Sequence, residues 1–309
     1  MTFLLLFMLI STIVGKPTIY DGRAPFTLKN DSLDTSLGPY LTCGLFYLAR
    51  VVKGSQKASY YTKLLDHRIA PTPLWNPYIT MEQVISVTID NTSIFSPGSN
   101  LPQTGFRRTE LIAQKNGSNR ALDAEMEVEV TAFHFSIKMD EQKPLNYDHE
   151  YQIVFIERSD GTHVFGIQLG SPFTIPKGPL PADAAHSFKV LDHALNVLFT
   201  TSFSPGVWHN FAIQIDWDQR ALSVFYSKDK DQLRAVTGKV PNTTTASGSA
   251  GQGDFHFGIL KLPLANVQDS LANQQDVVHY GTQEGTTECL LFSGIFVEKA
   301  IDGVSMCTH

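Results

Sequence analysis

The chain has no run of basic residues. Its 24 Lys and Arg are outnumbered by 30 Asp and Glu, for a formal charge of -6, and nowhere do the cations cluster as nucleic-acid phosphates require, so nucleic acid is not expected as a partner. The same balance weighs against a polyuronic acid, which calls for a basic cleft, and leaves a neutral substrate as the expectation. No Gly-rich phosphate loop and no Gly-X-Ser-X-Gly elbow occurs. The histidines are scattered without a His-Glu-X-X-His pair and the cysteines lack zinc spacing, so neither a metal nor another cofactor is expected. Cysteine itself is scarce. Cys43, Cys289 and Cys307 leave one thiol over if a disulfide forms, and a chain of this size must be held by a large core. Cys289, in an apolar strand that continues through Phe292, reads as a buried thiol.

Long apolar runs are also missing, except at the start. Residues 3–10 are apolar and are followed by Ser, Thr and Gly15 before Lys16-Pro17. This segment resembles a secretory signal peptide over residues 1–16, lacking the usual basic residue near the start. The expectation is a secreted, extracellular protein, monomeric, free of membrane after cleavage, with a single domain over residues 17–309. Four Asn-X-Ser/Thr sequons, at Asn30, Asn91, Asn116 and Asn242, fit passage through a glycosylating pathway.

Helical periodicity is scarce, and strand-like runs recur instead. They cover 84–89, 124–135, 151–157, 163–169, 187–190, 208–217, 222–226, 255–262 and 290–298, separated by turn signals such as Asp160-Gly161 and Ser204-Pro205-Gly206. In one of them Phe211, Ile213, Ile215 and Trp217 share a face opposite Asn210, Ala212, Gln214 and Asp216. That period of two, with 20 Phe and 10 Tyr, predicts an all-β jelly-roll sandwich of two antiparallel sheets around an aromatic core. The Gly-, Ser- and Thr-rich stretch 237–253 reads as a flexible surface loop.

The residues able to carry chemistry lie on two strands. Side chains two apart share a strand face, so Arg108 stands beside Glu110 and Glu150 beside Gln152, with Leu111, Ile153 and Phe155 on the opposite, apolar face. Two carboxylates, a guanidinium and an amide on one sheet face suit a hydroxyl-rich ligand. Gln168 and Gln214 are expected to extend that face, and His256, between Phe255 and Phe257, to point to it. His149, His163 and His209 fall on apolar registers or strand ends and read as core or rim. Among Trp75, Trp208 and Trp217, Trp75 in a Pro-rich loop is the expected surface platform for a sugar ring, since Trp217 sits in the core register. The plainer reading of each polar residue is a solvated strand position.

Residues 106–111, 149–172 (from His-Glu-Tyr-Gln-Ile-Val-Phe-Ile-Glu to Gly-Ser-Pro), 208–226, 254–264 and 277–285 (Val-Val-His-Tyr-Gly-Thr-Gln-Glu-Gly) resemble fungal glycoside hydrolase family 131 over most of the mature chain. The resemblance implies a secreted jelly-roll glucanase acting on β-1,3-, β-1,6- and β-1,4-glucans by hydrolysis with inversion. It implies two cleft glutamates, carried onto Glu110 and Glu150 as the acid/base pair, with Arg108, Gln152 and His256 nearby; which glutamate gives the proton stays open, with Glu150 as base and Glu110 as acid the working assignment. Residues 43–50 depart from the family pattern. Arg-Thr-Glu-Leu, the Gln-Ile pair and the aromatic-X-aromatic-Gly strand also resemble jelly-roll alginate lyases. Those follow Gln-Ile with His, where this chain has Val154, so the elimination set is incomplete. A polysaccharide lyase and a non-catalytic glucan-binding protein are the alternatives to a hydrolase.

Overall fold

The computed structural model describes residues 16–35, 50–76, 82–98, 101–115, 118–173 and 179–307. The expected signal peptide, Cys43 with most of the segment 43–50, and the Asn116 sequon lie outside these residues. Among the described residues the chain forms strands β1 (Thr18–Asp21), β2 (Arg50–Val52), β3 (Thr62–Leu64), β4 (Ile85–Ile89), β5 (Arg107–Ile112), β6 (Val130–Met139), β7 (Glu150–Arg158) and β8 (His163–Gly170). They are followed by β9 (Ser187–Asp192), β10 (Val197–Ser202), β11 (His209–Asp216), β12 (Ala221–Lys228), β13 (Arg234–Ala235), β14 (Val240–Pro241), β15 (Gly253–Lys261) and β16 (Glu288–Lys299). Three short helices, α1 (Ala58–Tyr61), α2 (Asn119–Met126) and α3 (Leu271–Gln275), interrupt them.

The strands build two antiparallel sheets. One has nine strands in the order β13-β12-β11-β6-β16-β4-β3, with β1 added beside β16 and β14 beside β12. The other has seven, in the order β10-β9-β8-β7-β15-β5-β2. Between them Phe133, Phe135, Phe211, Ile213 and Ile215 of the first meet Phe165, Ile167, Phe188, Phe255 and Phe257 of the second. Phe211, Ile213 and Ile215 are alternating positions that the sequence assigns to the core, since a strand presents every second side chain to one face. Trp217 packs against this core with its Nε1–H on Thr131 Oγ1 at 2.8 Å. Cys289 is a buried thiol, pushed up to about 11 by burial.

The strand expected over 124–135 is in fact split. Ser118 caps α2, its Oγ accepting from the N–H of Ala121, and Leu122 and Met126 share the buried face of a helix that ends at Glu127. Glu129, at φ 58°, turns the chain before β6 starts. The apolar residues alone do not distinguish these two uses; the serine cap does.

The outer face of the nine-stranded sheet is also covered, and this changes several readings. Trp75 is no surface platform: it is 3% exposed, standing edge-on to His134 and Phe296. Gly294 makes room for it, because a Cβ there would lie 2.4 Å from Trp75 Cδ1. Trp208 is likewise 3% exposed, its indole N–H on the Ala70 carbonyl. Beneath this layer Asn210 is buried and fully paired, accepting from Thr72 and Ser136 and donating to Ser227 and the Asp229 carbonyl. The stretch 237–253 contains β14 and an anchored residue. Asn242 is buried with Nδ2 on the Val164 carbonyl and Oδ1 accepting from the His193 N–H. Its amide nitrogen is thus not presented to a glycosylating enzyme in the folded chain, whereas Asn30 and Asn91 are exposed.

Candidate active site

The outer face of the seven-stranded sheet carries the polar residues singled out above. Arg108, Leu260, Gln152, Gln168 and Lys189 are successive cross-strand partners, forming one row across β5, β15, β7, β8 and β9. Glu110 sits beside this row on β5, opposite Gly258. Glu150 sits on the other side, at the start of β7, opposite Gly170 and with its carbonyl accepting from the N–H of Leu262. Both glutamates therefore share the face, on next-but-one strands. Gln214 does not: it belongs to β11 of the other sheet, where its Nε2 donates to the Ala300 carbonyl. Sequence parity places a residue on one face of its strand but says nothing about which sheet that strand joins.

Glu157 also reaches this face, which simple alternation from Glu150 denies it. The β7–β8 register shifts between Gln152 and Val154, a bulge that inserts one extra residue into β7. Ile153, Val154 and Ile156 all enter the core, while Phe155 turns outward and stacks on His256 and His163 at 4.7 and 4.3 Å. Phe155 is thus not on the apolar inner face. Glu157 follows it outward, opposite Asp254. A signal was available, because the unbroken run Ile153-Val154-Phe155-Ile156 cannot alternate as written. Lys189, at the end of the row, was also missed; its ammonium donates to the Gly170 carbonyl at 2.8 Å, and burial lowers its pKa, with the charge of Glu150 opposing.

Glu110 is completely buried. Arg108 grips both of its oxygens, Nε to Oε1 at 2.8 Å and Nη2 to Oε2 at 2.7 Å, and His256 Nδ1 lies 2.8 Å from Oε2. Burial alone would raise its pKa, but the guanidinium and the imidazole outweigh that and bring it down to about 2. The carboxyl is accordingly held as an anion, and His256 Nδ1 is the donor in their bond. Arg108 in turn lies over the Phe95 ring and donates to Gln103. Glu157 Oε2 stands 3.5 Å from His256 Nε2 and 4.0 Å from Arg108 Nη2. Burial raises the pKa of Glu157, the charge of His256 working against this and that of Glu110 adding to it.

Glu150 is held differently, by neutral donors. Gln152 and Gln168 donate to its Oε1 at 3.2 and 3.1 Å, and the N–H of Phe173 donates to Oε2 at 2.5 Å. It opens on a narrow groove walled by Asp148, Ser171, Phe173, Pro263 and Leu264. Its flanking residues are anchored below. His149 bridges the Leu262 carbonyl and Glu284, and Tyr151 donates to Glu288, while Lys261 ion-pairs with both of these glutamates.

At the Arg108 end the face opens into a cleft of about 1030 Å³. Arg108, His256, Glu157 and Asp254 line it, with Asn119, Arg120 and Asp123 from α2 and its start, and Arg158 from β7. A smaller cavity of about 290 Å³ behind Trp217 shares none of these residues. Asp123, 3% exposed, is pushed up to about 9 by burial, with the charges of Asp254 and Glu127 adding to it.

Gly258 permits the close approach of β5. A Cβ at this position would lie 2.4 Å from the Thr109 carbonyl oxygen and 2.6 Å from Glu110 Cα, both backbone atoms that cannot step aside cheaply. Gly258→Ala is expected to destabilise the fold by about 3 kcal/mol, the upper range for overpacking. Denaturant unfolding measures this, and a loss under 1 kcal/mol would show that the strand pair can spread.

The family model of the glycoside hydrolase 131 catalytic N-terminal domain matches residues 18–303. The chain belongs to glycoside hydrolase family 131. As a member of family 131 it is a glycoside hydrolase acting on a polysaccharide. Two solved family 131 structures have its fold. The catalytic domain of a family 131 β-glucanase from Podospora anserina aligns with a TM-score of 0.65 at 21% identity, covering 94% of this chain and 98% of the other. The catalytic domain of a family 131 protein from Coprinopsis cinerea aligns with a TM-score of 0.65 at 19% identity, covering 95% and 98%. No curated protein sequence matches the chain.

Proposed function

We propose that this family 131 hydrolase is a secreted β-glucanase that cleaves β-1,3-, β-1,6- and β-1,4-linked glucans with inversion, using Glu150 as base and Glu110 as the anion that organises the acid side. The observation that carries this reading is the placement of both glutamates on one open polar face, either side of a row of guanidinium and amide groups. Their Cα atoms are two strands apart and about four residues offset, roughly 16 Å at ~4.8 Å per strand and ~3.3 Å per residue. Side chains of about 4 Å leaning fully together would still leave about 8 Å between the carboxyls. The ~5–5.5 Å between the carboxyls of a retaining pair is out of reach for these two, so Glu110 is not a partner carboxyl to a nucleophilic Glu150, and the inversion proposed here follows the resemblance to family 131.

The roles follow from access and charge. Glu150 keeps one edge toward the groove and is oriented by amides. Glu110 does not suit the role of proton donor. It is fully enclosed, both oxygens are engaged, and a group with a pKa of about 2 is almost wholly ionised at neutral pH. It acts instead through its neighbours: it aims the guanidinium of Arg108 and fixes His256 with Nε2 toward the cleft, where the imidazolium can give a proton to the departing sugar oxygen. The glycosidic C–O bond breaks as the oxygen of a water bonds to the anomeric carbon, and Glu150 takes that water's proton.

Substrate class follows from the cleft walls. Arg108, Arg120 and Arg158 are interleaved with Asp123, Asp254, Glu157 and Asp160, a mixture without the net positive field a polyuronate needs. Val154, where the alginate lyase pattern has His, is in the core, so that position offers the cleft no proton-transfer group. Secretion rests on the apolar N-terminal segment.

The test is incubation with laminarin, a β-1,3/1,6-glucan, and with barley β-glucan, following reducing ends and the product anomer by NMR. The first-formed sugar is expected as the α-anomer. Glu150→Gln is expected to lower kcat by about 10²–10⁴-fold with KM changed little, since it removes the base but keeps the hydrogen-bonding shape. A β-anomer would reject inversion, and unchanged turnover would remove Glu150 from the mechanism.

A further inference from the structure

Three groups at the acid side are ordered by depth, and each touches the next. The Glu110 side chain is 0% exposed, that of His256 4% and that of Glu157 32%. His256 spends Nδ1 on Glu110, so Nε2 is its nitrogen available to the cleft, and Glu157 stands over it at 3.5 Å. The β7 bulge is what brings Glu157 there, and Phe155, stacked flat on the imidazole, fixes the ring plane that aims Nε2 at it.

We propose that Glu157 is a positioning residue for the proton on His256: its carboxylate accepts Nε2–H and keeps the imidazole doubly protonated at the mouth of the cleft. This rests on the hydrolase reading above and adds to it a group that sets how far into alkaline pH the acid stays loaded. The charge count supports it. Arg108 against Glu110 and Glu157 leaves one negative charge over, which an imidazolium cancels. The other charged groups near His256 are Asp254 on its own strand, His163 on β8 across the Phe155 ring, Asp123 beyond Asp254, and Arg120 and Arg158 along the cleft wall. Burial makes Glu157 a poorer acid than an ordinary glutamate, while the charge of His256 opposes this.

Glu157→Gln keeps the shape and removes the charge. The imidazole of His256, followed by NMR through its ring carbon and proton shifts, is expected to lose its proton at a pH lower by about one unit or more than in the parent. The alkaline limb of kcat/KM on laminarin should move to lower pH by the same amount, and Glu157→Asp should restore part of the shift. An unchanged His256 titration would overturn the proposal, as would a uniform loss of activity with the limb in place. The NMR titration needs no turnover, so a protein inert on glucan would count against the hydrolase reading while still deciding the coupling of Glu157 to His256.

Discussion

Glu110→Gln is expected to lower turnover on β-glucan by about 10²–10⁴-fold, although residue 110 never meets the substrate. A carboxylate can accept the paired N–H groups of a guanidinium and an imidazole N–H together, whereas an amide has one acceptor oxygen and an NH2 that must face another donor. In this site the NH2 would confront either Arg108 Nε or both Arg108 Nη2 and His256 Nδ1–H. The variant therefore loses the aim of Arg108, and His256 no longer has a reason to keep Nδ1 protonated. A stability loss accompanies it, because a buried Arg and His remain without their counter-charge, and breaking a buried pair costs about 3–5 kcal/mol. Both effects are measurable on one preparation, by initial rates on laminarin and by thermal unfolding. Turnover within threefold of the parent in a folded variant would remove Glu110 from the machinery altogether.

The second large effect concerns pH and arises from Asp123. Its folded pKa of about 9 lies far above the ordinary carboxyl value of 3.8, so between these two limits the folded chain binds a proton that the unfolded chain does not. Stability must then fall as pH rises through that window, and the slope vanishes below pH ~4, where both states are protonated. Asp123→Asn supplies the neutral donor permanently. It is expected to be near-neutral for stability at pH 4 and stabilising at pH 8, on the order of 3 kcal/mol, with the NH2 free to donate toward Asp254. Glu110 runs in the opposite sense. Its depressed pKa contributes stability that is present above about pH 4.5 and lost as pH falls toward 2. The parent should thus be most stable in mildly acid solution. Denaturant unfolding of the Asn variant and parent across pH 4 to 8 checks this, and an equal midpoint shift at both ends would reject the buried-acid account.

Strand alternation made much of this legible before any fold was in hand. Phe211, Ile213 and Ile215 lie in the core, and Arg108, Glu110, Glu150, Gln152, Gln168 and His256 share one face, because local parity sets the side of each residue and β5, β15, β7 and β8 join one sheet. The features that stayed hidden depend on partners distant in sequence. Gln214 has the right parity and the wrong sheet. Trp75 looks like a loop aromatic until Gly294, more than two hundred residues later, opens a seat for it. Asn242 forms a valid sequon whose nitrogen is already committed to Val164. The helix over 119–126 was readable in principle from the Ser118 cap, but its apolar residues join those of β6 into one continuous run. Asp123 and Asp254 carry no pattern at all; only the docking of α2 on β15 brings the two acidic side chains together.

The bulge in β7 has a further consequence for heredity. A strand with perfect alternation ties every position to every other, so a single inserted or deleted codon reverses all that follows it. Here the reversal at Ile153-Val154 is already part of the structure, and the strand behaves as two short reading frames joined end to end. The amino-terminal frame serves Glu150 and Gln152, and the carboxy-terminal frame serves Phe155 and Glu157. Each half can change its chemistry by point substitution without disturbing the orientation of the other, but loss of one residue at the joint would turn the Glu157 carboxylate toward phenylalanines.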